Sequence, residues 1–201
     1  MFRAGDEPIT LLEEVKDMRT KICLLAAAVG AALLSHSAMA GYGDRNKITE
    51  AEVLAAQQAW GEALIQISQD FNYGGLEKAQ QTARSVLETA YAFQHGPVLF
   101  KPTLASGEHT FRNQKDYALS YFVGGNDRLG DPGFALKGWE SFQIENAGVV
   151  INGEMALTMG HVMLTDADGN TTKVDKTWGF QRFDDGDLRI VLHHSSLPFT
   201  G

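Results

Sequence analysis

The residues of this 201-residue chain best suited to chemistry stand together near its end, where Leu188-Arg189-Ile190-Val191-Leu192 runs into His193-His194-Ser195-Ser196. An imidazole titrates close to neutral pH and can move protons, while a hydroxyl both donates and accepts hydrogen bonds. Together they suit general-base activation of water beside a small polar ligand. The run reads as a strand, and side chains of an extended strand alternate between faces. Strict alternation puts Leu188, Ile190, Leu192, His194 and Ser196 on one side and Arg189, Val191, His193 and Ser195 on the other. The apolar members make the first side the inward one, so His194 and Ser196 are expected to meet at the end of a buried face. His193 and Ser195 are then left to secondary roles outside it, at an interface or against a neighbouring strand.

Such a strand needs a scaffold, and the rest of the chain supplies one in a definite order. Thr49 followed by Glu52 is a capping-box signature, and Val53, Ala56, Trp60, Leu64, Ile67 and Phe71 recur at helical steps behind it. Asn72-Tyr73-Gly74-Gly75 interrupts this helix. Ala79, Ala83, Val86, Leu87, Ala90 and Tyr91 mark a second one, ending near His95-Gly96. Val98-Leu99-Phe100, between Pro97 and Pro102, suits only a short or edge strand, because proline cannot donate to a central ladder. A short helix is expected over 114–122. From Trp139 the composition turns to Val, Ile, Thr, Met and aromatics, punctuated by Asn152-Gly153, Asp168-Gly169-Asn170 and Asp185-Gly186. Strands are expected over 139–146, 148–151, 154–165, 171–183 and 188–196, an antiparallel meander following helices. The class is α+β.

Composition narrows the function. The formal charge of −8 argues against nucleic acid as a partner, and the acidic residues gather in turn-like stretches such as Asp184-Asp185-Gly186-Asp187. The apolar run from Ile22 to Leu34, preceded by Arg19 and Lys21, is too short to span a bilayer. It leads into Ser37-Ala38-Met39-Ala40, an A-x-A cleavage pattern, so residues 1–40 are expected to be a signal peptide, with Met18 as an alternative start. Residues 41–201 are then a single secreted or periplasmic domain with no membrane attachment. Cys23 is the chain's one cysteine and lies in that leader, which removes disulfides, thiolate metal sites and cysteine nucleophiles from the domain.

Phe100-Lys101-Pro102-Thr103, the block from Ala118 to Gly125, Gly133-Phe134-Ala135-Leu136, and His193 to Pro198 together give the chain its resemblance to the iota-class carbonic anhydrases. The likeness runs through essentially the whole of residues 41–201. It implies a cystatin-like/NTF2-like cone, in which helices pack inside a curved antiparallel sheet, related to the association domain of calmodulin-dependent kinase II. It further implies reversible hydration of carbon dioxide to bicarbonate, and a homodimer. The family's bicarbonate site, carried onto this sequence, falls on Thr103, Tyr121, His194 and Ser196. In that assignment His194 is the base or proton shuttle, and the three hydroxyls hold the anion.

The resemblance implies chemistry without a metal. The alternative is a divalent ion such as zinc or manganese held by His194 with His161, His95 or His109 and a carboxylate, although no pair of these shows the i, i+4 spacing of a helical chelate. Two other functions suit the same fold. A non-catalytic association module would use it for oligomerisation or small-molecule binding. An isomerase of the ketosteroid-isomerase kind would need a carboxylate inside, and Glu140 and Glu145 lie on opposite parities of one strand.

Overall fold

The computed structural model describes residues 46–201, which form one unit. The expected signal peptide over residues 1–40 lies outside the described residues. Thr49 caps α1 (Glu50–Thr89), with Glu52 N–H on its hydroxyl at 3.3 Å and its own N–H on the Glu52 carboxylate at 2.9 Å. The interruption expected around residues 72–75 is a kink rather than a gap. Only Gly75 leaves helical geometry, at φ 74°, a region open to glycine at little cost. The Thr82 hydroxyl donates to Asp70 across the kink and ties the two halves together. Val53, Trp60, Leu64 and Ile67 of the first half and Ala79, Ala83 and Leu87 of the second are buried. The helix stops at Thr89, six residues before His95, because Tyr91 leaves it to bridge Ile190 of the last strand.

Next come β1 (Leu99–Lys101), α2 (Lys115–Val123), β2 (Trp139–Asn152), β3 (Met155–Asp166), β4 (Thr171–Arg182) and β5 (Leu188–Ser196). They form one sheet in the order β1-β5-β4-β3-β2, antiparallel except where β1 runs parallel to β5. The expected meander and the edge position of β1 are both present. The strands expected over 139–146 and 148–151 are a single strand, because Ala147 is accommodated as a register shift between Asn146 and Gly148. Such bulges bend a sheet, and this one curves around α1 as the cystatin-like/NTF2-like reading requires. Its inner face carries Ala156, Val162 and Leu164 of β3 with Val174, Trp178 and Phe180 of β4, all buried against the helices.

A second register shift, between Gly179 and Phe180, overturns the alternation expected of β5. Phe180 pairs with Ile190 and Gly179 with Leu192, so Val191 is an extra residue without a partner. Ile190 faces inward at 2 % exposure, but beyond the bulge the inward positions are His193 and Ser195, each 2 % exposed. His194 is exposed and Ser196 half-buried. The expectation that His194 and Ser196 share the buried face is therefore corrected, since one inserted residue exchanges the faces of everything after it.

Candidate functional site

The inward end of β5 is built by three neighbours. β1 lays Phe100 opposite His193, and β4 lays Trp178 opposite His193 and Lys176 opposite Ser195. The loop after β1 then delivers Thr103, whose hydroxyl shares a hydrogen bond with that of Ser195 at 2.8 Å. The Tyr121 hydroxyl, from α2, accepts the Leu104 backbone N–H at 3.4 Å. Three hydroxyls are thus gathered at one loop, in which Thr103 is half-buried and Leu104 exposed. Burial pushes the Tyr121 phenol up to about 12, so it remains a donor through the neutral range.

The loop is anchored before and behind. Phe100 donates its N–H to the Asn113 side chain at 3.1 Å, and Arg112 returns its backbone N–H to Phe100 O at 2.7 Å. The Arg112 guanidinium is buried against Asp131 at 2.9 Å, and Asp131 also accepts from Ser120 of α2 at 2.7 Å. Thr103 and Tyr121 are thereby fixed to the same ion pair from opposite sides.

His193 lies deeper, in a box of rings whose centroids stand 4.4 Å (Phe100), 5.6 Å (Trp60) and 5.9 Å (Tyr91) from its own. Both of its nitrogens are engaged. Trp60 Nε1 donates to the Tyr91 oxygen at 2.9 Å, and Tyr91 lies 2.7 Å from His193 Nδ1. An indole N–H can only donate, and if Nδ1–H also donated to Tyr91 the buried phenol proton would be left without an acceptor; the arrangement that pairs every donor turns the Tyr91 proton toward Nδ1 and leaves the imidazole proton on Nε2, facing Lys176 Nζ. Burial holds the His193 imidazole well below its ordinary range, so it is neutral at neutral pH.

Of the residues expected to act, Thr103 and Tyr121 reach this cluster, while His194 and Ser196 do not. His194 lines a cavity of about 550 Å³ on the opposite face of the sheet with Leu99, Lys101 and Leu192. The outward placement expected of His193 and Ser195 is corrected with it, for these are the histidine and serine that join the other two. Trp60, Tyr91 and Lys176 were missed as site residues. For Lys176 a signal existed: it shares the two-residue spacing of Val174, Trp178 and Phe180, which places a lysine on an apolar face. Among the described residues no group of three or more His, Cys, Asp or Glu is placed to hold a metal ion, so His161, His95 and His109 do not gather with His194.

Residues 51–197 match the family model described as metal-independent carbonic anhydrase. A curated relative from Nostoc sp. (strain PCC 7120 / SAG 25.82 / UTEX 2576), named metal-independent carbonic anhydrase, is 45 % identical over 199 residues, covering 90 % of this chain and 97 % of the relative. The crystal structure of a cyanobacterial iota-carbonic anhydrase complexed with bicarbonate superposes with a TM-score of 0.77 at 51 % identity, over 78 % of this chain and 96 % of that one.

Proposed function

Because the chain belongs to the metal-independent carbonic anhydrase family, we propose that it interconverts carbon dioxide and bicarbonate at the hydroxyl cluster of Thr103, Tyr121 and Ser195, beside His193. The observation that carries the placement is the 2.8 Å bond between Thr103 and Ser195, which sets two hydroxyls side by side next to the ring-lined interior. Hydration forms a bond from water oxygen to carbon while negative charge grows on the oxygens of carbon dioxide. Hydroxyl dipoles already aimed at that position stabilise the charge without reorganising. Lys101, whose ammonium donates to Ser195 O at 2.9 Å, adds positive potential next to the cluster. The reading carries over the threonine and tyrosine of the resemblance and replaces His194 and Ser196 by His193 and Ser195.

The test is stopped-flow carbon dioxide hydration by chelator-treated protein. Thr103→Val and Ser195→Ala should each lower kcat by about 100-fold, in line with the loss of one oxyanion donor, and Ser196→Ala by less than about two-fold. Full activity in the Ser195 variant with loss in the Ser196 variant would reverse the placement. Loss of wild-type activity on metal removal would overturn the metal-free reaction.

Two features of the expected setting belong to the same proposal. Export to the periplasm or beyond is supported by the A-x-A pattern after Ile22–Leu34. A homodimer is supported by the outer face of the sheet, where Leu157 is 47 %, Met159 63 % and Leu99 59 % exposed, an apolar surface of the kind a partner covers.

A further inference from the structure

The hydroxyl cluster binds an anion but cannot keep a proton, and hydration releases one. His193 is poorly placed to take it, because Nδ1 is filled by Tyr91 and Nε2 already bears the ring proton. Lys176 is the group at the far end of this order. It is 4 % exposed, and its amine meets His193 Nε2. Among the described residues no carboxylate pairs with it.

The direction of the hydrogen bonds decides its charge. Trp60 donates to Tyr91, Tyr91 to Nδ1, and Nε2–H to Nζ. An amine can accept a hydrogen bond only while its lone pair is free, so the resting lysine is neutral. Burial acts the same way and holds the amine well below the usual lysine range. The titratable group that meets it is His193 from β5, and Tyr91, from the segment after α1, lies beyond on the other nitrogen of that ring. The more distant His194, whose basicity is lowered by burial and then by Lys101, would be within electrostatic reach of Lys176 once that amine is protonated. A protonated form also has a place to be. Nζ stands 4.2 Å from the Trp60 ring centroid and 4.9 Å from that of Trp178, within the range of cation–π attraction.

Lys176 and Ser195 are paired across β4 and β5, and both side chains are buried on the inner face, which places the amine's strand position next to the hydroxyl cluster. We propose that Lys176 is a further catalytic residue: a neutral amine that accepts the proton of the attacking water as carbon dioxide becomes bicarbonate. Water oxygen bonds to carbon, one C=O π pair moves onto oxygen, an O–H bond breaks and an N–H bond forms on Nζ, whose single lone pair turns from His193 Nε2–H to the water as that hydrogen bond is given up. One water, one carbon dioxide and one amine give bicarbonate and an ammonium, which the anion and the two indole rings stabilise until the proton leaves for solvent. The inference rests on the function proposed above and supplies the base that a metal hydroxide would otherwise make unnecessary.

Lys176→Met keeps the length and removes the amine, and Lys176→Arg keeps a permanent charge. Stopped-flow hydration across pH 6–9.5 should show kcat down about 100-fold in both, with KM for carbon dioxide within two-fold of wild type. The acid limb of the wild-type pH profile should disappear from the residual activity. A Lys176→Met enzyme within two-fold of wild type, or one whose acid limb is unchanged, overturns the proposal while leaving the reaction assigned. A wild-type chain without hydration activity overturns the assigned reaction and this step with it. Independently of turnover, NMR of the Lys176 Cε and Nζ in the intact protein should report a neutral amine at pH 8; an ammonium persisting to pH 9.5 overturns the proposal.

Discussion

Tyr91 joins two groups that cannot both be satisfied without it. Its oxygen takes the proton of Trp60 and its own proton goes to His193, all three being buried. Tyr91→Phe keeps the ring and its stacking on Phe93 and His193 but strands an indole N–H and an imidazole nitrogen. The cost should be about 1–3 kcal/mol of stability, read by urea denaturation, since an unpaired buried donor loses its hydration without replacement. The variant should also release the His193 tautomer, so that ¹⁵N chemical shifts of the imidazole move from a single Nε2–H form toward a mixture. A stability loss with the tautomer unchanged would mean that Lys176 alone fixes the ring. Burial pushes the Tyr91 hydroxyl up, away from ionisation, which keeps it a donor throughout.

At the level of elements, most of the scaffold was readable and the decisive detail was not. The capping box, the glycine interruption, the edge strand between prolines and the hairpin turns each carry a local chemical reason, and each stands where that reason puts it. The bulge at Val191 has no such mark within β5; its one sign is Gly179 on the partner strand, where a Cβ would lie 2.9 Å from Leu192 Cβ. Leu188 to Ser196 contains neither glycine nor proline, and the extra residue is set by how β4 and β5 pair rather than by β5 alone. Strict alternation consequently puts His193 and Ser195 on the wrong face, since its period holds along β5 and its register does not. Thr103 and Tyr121 were reachable only by resemblance, because nothing in their local sequence says that a loop and a helix will meet. The bulge in β2, like that in β5 opposite Gly179, lies beside a glycine of its partner strand, here Gly160. A Cβ on Gly160 would lie 2.0 Å from the Glu145 backbone oxygen and 2.8 Å from Asn146 Cα, so no side-chain rotation can relieve it. Gly160→Ala should destabilise the domain by roughly 3 kcal/mol and loosen the pairing of β2 with β3, as seen in amide exchange of both strands. A loss below about 0.5 kcal/mol would show that the backbone there yields easily.

Across the whole domain, the core contains two bases held neutral, and this gives stability a definite pH dependence. Lys176 and His193 both have their basicity lowered in the folded state, with burial the leading cause for each. In the unfolded chain they titrate near ~10.4 and ~6.5. Wherever the unfolded state binds a proton that the folded state refuses, stability rises with pH. The His193 contribution is therefore complete above about pH 6.5 and is lost as pH falls below it. The Lys176 contribution is complete only above about pH 10.4, so at pH 7 the domain carries an unfavourable term from this side chain. Replacing a buried ionisable group by an apolar one of similar size is often stabilising by roughly 1–4 kcal/mol, and Lys176→Met should fall in that range at pH 7. Its advantage over wild type should shrink steadily from pH 7 to pH 10, because only the wild type gains as the unfolded lysine loses its proton. Urea denaturation of the two proteins at matched pH separates this from every other titrating group, which they share. A gap that stays constant with pH would mean the folded lysine is charged, held by the Trp60 and Trp178 rings instead of by Nε2–H, and the His193 proton would have to sit on Nδ1, donating to the Tyr91 oxygen, while Lys176 donates to Nε2.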